Sequence, residues 1–231
     1  VARTARLAGF VRAAALGGAC GIAVMMGAMV EAAETATPSD YEQVIAARAE
    51  KIVSTLRRAN DEAQGHVRET LRDFYRGTRA WHEANGARRK QLRSAQDDAS
   101  KAELATLEGE LAAIRDDFSK RLANDLSPDE VEKVKDGLTY GVLHVTERAY
   151  HEMIVRLTDE QKATIHDWLV EARDLAISEG SSEAKHGVFG KYKGRINNYL
   201  SQQGYDLKQE ERSWQERRKA AAAKATSEET K

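Results

Sequence analysis

LTDEQKATIHDWLVEARDLAISEGSSEAKHGVFGKYKGRINNYLSQQGYDL spans residues 157–207, and its punctuation decides the fold class. Thr158 stands where a helix N-cap belongs, and Gln161 occupies the N3 position from which a side chain reaches back to the cap. Ile165, Trp168, Leu169, Ala172, Leu175 and Ala176 then recur mostly at intervals of three and four, one apolar face of a helix. Glu179-Gly180-Ser181-Ser182 ends that helix and caps the next. At about 100° per residue, Val188, Phe189, Tyr192, Ile196, Tyr199 and Leu200 fall within an arc of roughly 120°, a core-facing stripe. Gly204 followed by Tyr205 fits a Schellman stop, with Tyr205 packing back on Leu200.

The opposite side of this second helix raises the functional question. Gly187, Gly190, Gly194 and Ser201 gather there, flanked by His186, Lys191, Asn197 and Asn198. Three interior glycines cost about 2.5 to 3 kcal/mol relative to alanine, so close approach to the backbone is expected. Another helix packed on the glycine ridge is one reading. A polar cleft is the second, in which His186, Lys191, Lys193, Arg195, Asn197 and Asn198, beside Gly190 and Gly194, present donors to a hydroxyl- or carboxylate-rich ligand. A non-helical loop is the third.

Working upstream, Leu126-Ser127-Pro128-Asp129-Glu130-Val131 is a complete helix start, with Ser127 as N-cap, Pro128 at N1, Glu130 at N3 and Leu126 stapled to Val131. Gly137 is expected to end that helix, with a turn and then another helix up to Leu157. Tyr41, Val44, Ile45, Ile52, Val53 and Leu56 predict a helix after Pro38-Ser39-Asp40, and Val67, Leu71, Phe74, Tyr75, Thr78 and Trp81 predict a second. Asn85-Gly86 is expected to stop it. Ala87 to Asn124 is charged and alanine-rich, a long helix or helical hairpin with Gly109 as the candidate break. Beyond Leu207 a further helical stretch carries Trp214 and runs into a low-complexity, fraying end. The expectation is an all-α multi-helix bundle with no β-domain. It divides into an export signal at 1–32, N-terminal helices at 33–125, a C-terminal helical region at 126–207 and a tail at 208–231.

The export signal rests on Arg3, Arg6 and Arg12, which precede an uncharged stretch from Ala13 to Val30. Val30-Glu31-Ala32 places small residues where a signal peptidase reads, so cleavage near Ala32 is expected, and then no stable membrane span remains. A retained anchor is the alternative. Cys20, the single cysteine, lies inside this segment. Lipid attachment there is the less favoured course, because Leu16 stands one position too far upstream. Export without cysteine fits a bacterial periplasm or the cell exterior. The chain's net charge of -1 gives no global attraction for nucleic acid. Lys185, Lys191, Lys193 and Arg195 are interleaved with aromatics that belong to the core stripe, so no stacking platform for bases is expected.

Catalytic patterns are sparse. His82-Glu83 and His151-Glu152 open like zinc helices, but Gly86 and Val155 stand where the second histidine belongs. Gly190-Lys191 lacks the earlier glycine of a phosphate loop. His144, Tyr150, His151 and Glu152, with Tyr140, are the only candidate acid-base cluster. Of the three tryptophans, Trp81 and Trp168 sit on apolar stripes and are assigned to the core, leaving Trp214 as the freer ring for sugar stacking. No catalytic residue, metal or cofactor is expected.

VKDGLTYGVLHVTERAY and the 157–207 stretch resemble a family of uncharacterised secreted bacterial proteins described as sugar-binding. The similarity runs from about Leu126 to Leu207 and is most specific in GKYKGRINNYL and GYDL. It implies an all-helical exported domain of polysaccharide-using bacteria, without assigned catalytic residues. The functional expectation is therefore an exported, non-catalytic protein that binds carbohydrate or another polar ligand along the segment from His186 to Tyr205. The alternative is a periplasmic chaperone or stress sensor, because Leu157-Thr158-Asp159-Glu160-Gln161 matches the Leu-Thr-x-x-Gln signature of such small helical proteins.

Overall fold

The computed structural model describes residues 38–56 and 61–228, so the export signal and Cys20 lie outside the described residues. Within them the chain forms helices and no strand: α1 (Pro38–Val53), α2 (Asp61–Ser94), α3 (Asp98–Ala123), α4 (Pro128–Leu138), α5 (Val142–Met153), α6 (Asp159–Ala176), α7 (Ser182–Gln202) and α8 (Leu207–Glu228). None of them is long and apolar enough to cross a membrane. The protein is all-α.

The caps legible in the sequence set the helix starts. At α4 the Glu130 carboxylate accepts from the Ser127 backbone N–H at 3.0 Å and from its hydroxyl at 2.8 Å. At α6 the Thr158 N–H donates to Gln161 Oε1 at 3.0 Å while the Gln161 N–H donates to Thr158 Oγ1 at 3.3 Å, a reciprocal capping box. Ser181 caps α7 by accepting from the Ala184 N–H. That helix ends with Gly204 at φ +88°, where the Tyr205 N–H reaches the Leu200 carbonyl at 3.1 Å and the Gly204 N–H reaches that of Ser201 at 3.1 Å. These are the two bonds of a Schellman motif.

Two expected breaks fall elsewhere. Asn85-Gly86 does not stop α2, because tertiary partners beyond it outweigh the propensity loss of about 1 kcal/mol. Leu92 packs with Trp81, Leu107 and Leu111, and Arg89 reaches two carboxylates. The turn of the helical hairpin lies instead between Ser94 and Asp98, where Asp97 caps α3 by accepting from the Ser100 N–H at 2.9 Å. Gly109 is exposed and helical, so it breaks nothing. Gly137, expected as a stop, is the next-to-last residue of α4, so that helix ends where expected to within one residue. A Cβ there would stand 2.9 Å from Ile52 Cγ1, so glycine permits α1 to pack closely on α4. The chain turns just after it, through Tyr140 at φ 58° and Gly141 at φ 67°.

Two large apolar clusters and a smaller one form the core. The first joins α1 to α4, with Ile52, Leu71, Phe74, Phe118, Leu122 and Val134 at its centre and the Phe74 and Phe118 rings stacked at 4.1 Å. The second joins α5, α6 and α7 through Leu143, Ile165, Leu169, Phe189, Ile196 and Leu200. The third fills the tip of the α2–α3 hairpin. Ala176 belongs to the second cluster and its neighbour Ile177 to the first, so the α6–α7 connection is the seam. Ions reinforce it. Arg173 of α6, with a side chain 3% exposed, donates to Asp136 of α4 at 3.0 Å and also to Glu132. Arg89 of α2 holds Glu179 through two bonds of 2.9 Å, both side chains being 7% exposed.

Candidate functional site

The core stripe of α7 falls as its periodicity predicts: Phe189, Ile196 and Leu200 are buried, while Val188, Tyr192 and Tyr199 are partly buried against the same cluster. Its other side is open. Among the described residues a Cβ built on Gly187, Gly190 or Gly194 would meet nothing within 4 Å, so none of the described helices packs on the ridge, and the segment is helix, not loop.

Lys191, then Gly194 with its neighbour Arg195, then Asn198 and Gln202 follow one another at three or four residues along α7, which places them on one face. With Trp168 of α6 and Tyr199 they line a shallow, open groove of about 590 Å³. Trp168 meets the Tyr199 ring edge-on, centroids 5.3 Å apart at 78°. The Arg195 guanidinium carbon lies 4.2 Å from the centroid of the Trp168 ring, a cation–π contact that fixes the indole. Arg195 also donates to Glu171 at 3.3 Å. Burial, and after it Glu171, pushes the nearby Tyr192 phenol up to about 12. Lys191 and Asn198 are exposed and make no side-chain hydrogen bond among the described residues. Their donors point to solvent over a floor where Gly194 leaves the backbone bare.

The eight sequence-predicted residues thus divide. Lys191, Gly194, Arg195 and Asn198 come together. Gly190 is exposed a turn earlier on the ridge, outside the groove lining. Asn197 accepts from the buried Tyr150 hydroxyl at 2.7 Å and ties α7 to α5. The Lys193 carbonyl lies 3.3 Å from that hydroxyl while its side chain is exposed. His186 stacks on Tyr140, centroids 6.5 Å apart at 21°.

Sequence reasoning missed Trp168, Tyr199 and Gln202. Gln202 is four residues beyond Asn198 and was findable by continuing the polar face. The tryptophans are reversed relative to expectation: Trp168 is half-buried beside the groove, whereas Trp214 is 6% exposed under Arg218 at 5.2 Å. Trp81 is core, with Nε1 donating to Glu110 at 2.7 Å. Trp214 is covered because α8 docks on α5, where Arg217 donates to the Glu152 and Met153 carbonyls at 2.8 and 3.0 Å.

The candidate acid-base cluster does not assemble: His144 meets Asp136 at 2.7 Å, Tyr150 meets Asn197, Tyr140 meets His186, and the buried His151 Nε2 has no hydrogen-bond partner among the described residues. Among the described residues no group of three or more His, Cys, Asp and Glu side chains is placed to hold a metal ion.

Residues 42–220 match the family described as proteins of unknown function, DUF3826. The chain belongs to the DUF3826 family. No curated protein shows significant similarity to it. The DUF3826 match begins inside α1 and ends inside α8, so it takes in the core clusters and the groove together. The DUF3826 description names no ligand, activity or source, and the GKYKGRINNYL and GYDL segments acquire a partly structural meaning. Tyr205 of GYDL places its hydroxyl 2.8 Å from Gln161 Oε1 and 3.1 Å from the Arg156 carbonyl, locking the end of α7 to the start of α6.

Proposed function

We propose that this DUF3826 protein is a non-catalytic binder of carbohydrate, held in the groove of Trp168, Lys191, Gly194, Arg195, Asn198, Tyr199 and Gln202. The observation that carries the reading is the open space over Gly194 beside a half-buried indole and unpartnered donors. A saccharide ring has an apolar C–H face that packs on an indole or phenol and a rim of hydroxyls that accept from amides and ammonium groups. Lys191, Asn198 and Gln202 supply such donors, Arg195 keeps the indole oriented, and the absence of a Cβ at Gly194 lets the ligand approach the helix backbone.

Export to a periplasm or the cell exterior accompanies this proposal, supported by the charge and hydropathy of residues 1–32. The chaperone alternative draws no support from its pentapeptide, whose Thr158 and Gln161 are accounted for by the α6 capping box.

A glycan array followed by calorimetry on the hits tests the binding. Wild-type protein is expected to retain a subset of glycans, and Trp168→Ala and Asn198→Ala to lose them. A blank array for the wild type, or hits indifferent to both substitutions, sinks the proposal. Fractionation with mass measurement of the N-terminus tests export: residues 1–32 still attached in a cytoplasmic pool would overturn it.

A further inference from the structure

Lys185 precedes the exposed His186 but points inward. It is 8% exposed, and its Nζ donates to the Leu138 carbonyl at 2.8 Å, 5.9 Å from the centroid of the Tyr140 ring. An ammonium carries three N–H donors. Among the described residues only this carbonyl accepts one, and no carboxylate lies within ion-pair distance.

Arg48 of α1 is a second cation in the same condition. It is half-buried, with its guanidinium carbon 5.9 Å from the centroid of the Tyr75 ring, and it too has no carboxylate partner among the described residues. Burial first, and then the positive charge of Arg48, pushes the Lys185 ammonium down to about 8. Glu179 acts against that shift, but its carboxylate is committed to Arg89 through two hydrogen bonds. Two cations within electrostatic reach of each other, in a poorly solvated place and without an anion, are unfavourable unless a counter-charge binds.

Tyr140 is the one non-glycine residue at positive φ among the described residues, at 58°, a conformation that costs a bulky side chain about 1–2 kcal/mol. Strain of this kind persists where the local structure enforces it and recurs at ligand clamps. Here it carries the 44% exposed ring over Lys185 and against His186. Tyr75 is held neutral by burial, and its titration is sensitive to both Arg48 and Tyr140. Its hydroxyl has no hydrogen-bond partner among the described residues, whereas the Tyr41 hydroxyl donates to the Tyr75 carbonyl at 2.9 Å.

We propose that Arg48, Lys185 and Tyr75, roofed by Tyr140 and His186, form a binding site for a small oxyanion, the carboxylate or phosphate group of a ligand. The guanidinium offers a planar fork to two oxygens, the ammonium its unused donors, and the phenol a neutral one. Charge-assisted bonds of this kind are the strong ones, and the bound anion relieves the repulsion between the two cations. Lys185 and Gly194 are nine residues apart, half a turn around α7, so this site stands on the other side of the helix from the groove and succeeds or fails independently.

Calorimetry and thermal melts of the full chain in chloride buffer, with inorganic phosphate, acetate and glucuronate as separate probes, test it. Wild-type protein is expected to bind at least one probe saturably and to melt higher in its presence. Phosphate alone assigns a phosphate group; acetate or glucuronate alone assigns a carboxylate. Arg48→Gln and Lys185→Met are each expected to weaken that binding about tenfold or more, while Trp168→Ala leaves it unchanged. Lys185→Met removes a buried cation and is expected to melt higher than wild type without anion, so the decisive quantity is the anion-dependent increment, which must vanish. Should Arg48→Gln not fold, Arg48→Lys, which keeps the charge and loses the fork, is expected to bind at an intermediate level. Silence with all three probes, or wild-type affinity in the Arg48 variant that folds, overturns the proposal.

Discussion

Alanine at Gly190 and Gly194 should make the protein more stable. Each glycine lies in the interior of α7 and is exposed, and a methyl group at either would meet nothing within 4 Å among the described residues. The propensity difference then acts alone, about 0.8–1.0 kcal/mol per site in favour of alanine. The two together should give about 2 kcal/mol, which for a protein of this size raises the melting temperature by roughly 4–8 °C. Gly137→Ala is the internal control. Its methyl would stand 2.9 Å from Cγ1 and 3.3 Å from Cγ2 of Ile52, a side chain only 5% exposed and embedded in the first core cluster. Overpacking of that kind costs about 1–3 kcal/mol, so this variant should melt lower. Differential scanning calorimetry of the three variants decides the matter. If Gly190→Ala or Gly194→Ala melts several degrees below wild type, something packs on the ridge and the open-groove argument is wrong. If the ridge is a ligand surface, the Gly194→Ala variant should combine its higher melting temperature with weaker glycan binding.

The buried pair of α2 and the α6–α7 connection should show strong non-additivity. Arg89→Met alone, by leaving Glu179 only the more exposed Arg93 at 3.8 Å, is expected to cost about 3 kcal/mol in urea unfolding, and the double change with Glu179→Met much less; a single-variant loss under 1 kcal/mol would refute the burial argument. Asn197→Ala should destabilise by about 1 kcal/mol, because it removes the acceptor of the Tyr150 hydroxyl, whereas Asn198→Ala should change stability by less than about 0.5 kcal/mol. Equal melts for the two would erase the distinction between a structural and a groove asparagine. Lys185 imposes a pH dependence. Folded, it loses its proton near 8, against an ordinary 10.5. Between those values the unfolded chain binds more protons, so stability attributable to this residue rises with pH by on the order of 3 kcal/mol. Lys185→Met should therefore exceed wild type in stability at pH 7 by more than at pH 10.5, as followed by denaturant titration in chloride buffer; a pH-independent difference would refute the burial of a charged lysine.

Local signals made the helix starts legible. Ser127 with Glu130, and Thr158 with Gln161, satisfy donors within three residues of chain, so their outcome needs no tertiary knowledge. The stripes of α6 and α7 were legible for the same reason. Asn85-Gly86 misled because the partners that carry α2 through it, Glu108 and Glu179, lie 19 and 90 residues away from Arg89. Trp168 and Trp214 were exchanged because an apolar stripe tells which face a ring occupies, but not how far the neighbouring helix covers it. Half of the candidate site was visible as a polar face of one helix. The rest could not be, since Trp168 comes from another helix and Asn197 is diverted by Tyr150. The environment of Lys185 was hidden as well: nothing within its own helix distinguishes a lysine that turns under the α4–α5 turn from the lysines that reach into water.

The connection from Ile177 to Gly180 has a consequence for how this fold tolerates changes in length. Connections ordinarily run over the surface and accept insertions, yet Ile177, Ser178 and Glu179 are all buried. Ile177 enters the first core cluster, the Ser178 carbonyl accepts from His82 at 2.8 Å, the Ser178 hydroxyl accepts from Arg115 at 2.8 Å, and Gly180 leaves room for the His82 ring 3.1 Å from where a Cβ would stand. Every residue of this short span is therefore keyed to α2, α3 or the first core, and one inserted residue would put all the later ones out of register at once. The turn at 95–97 has no comparable burial, so a lengthened hairpin tip, a fused tag or new chain ends fit there. Natural variation in length among chains of this architecture should accumulate at the hairpin tip and stop abruptly at the seam.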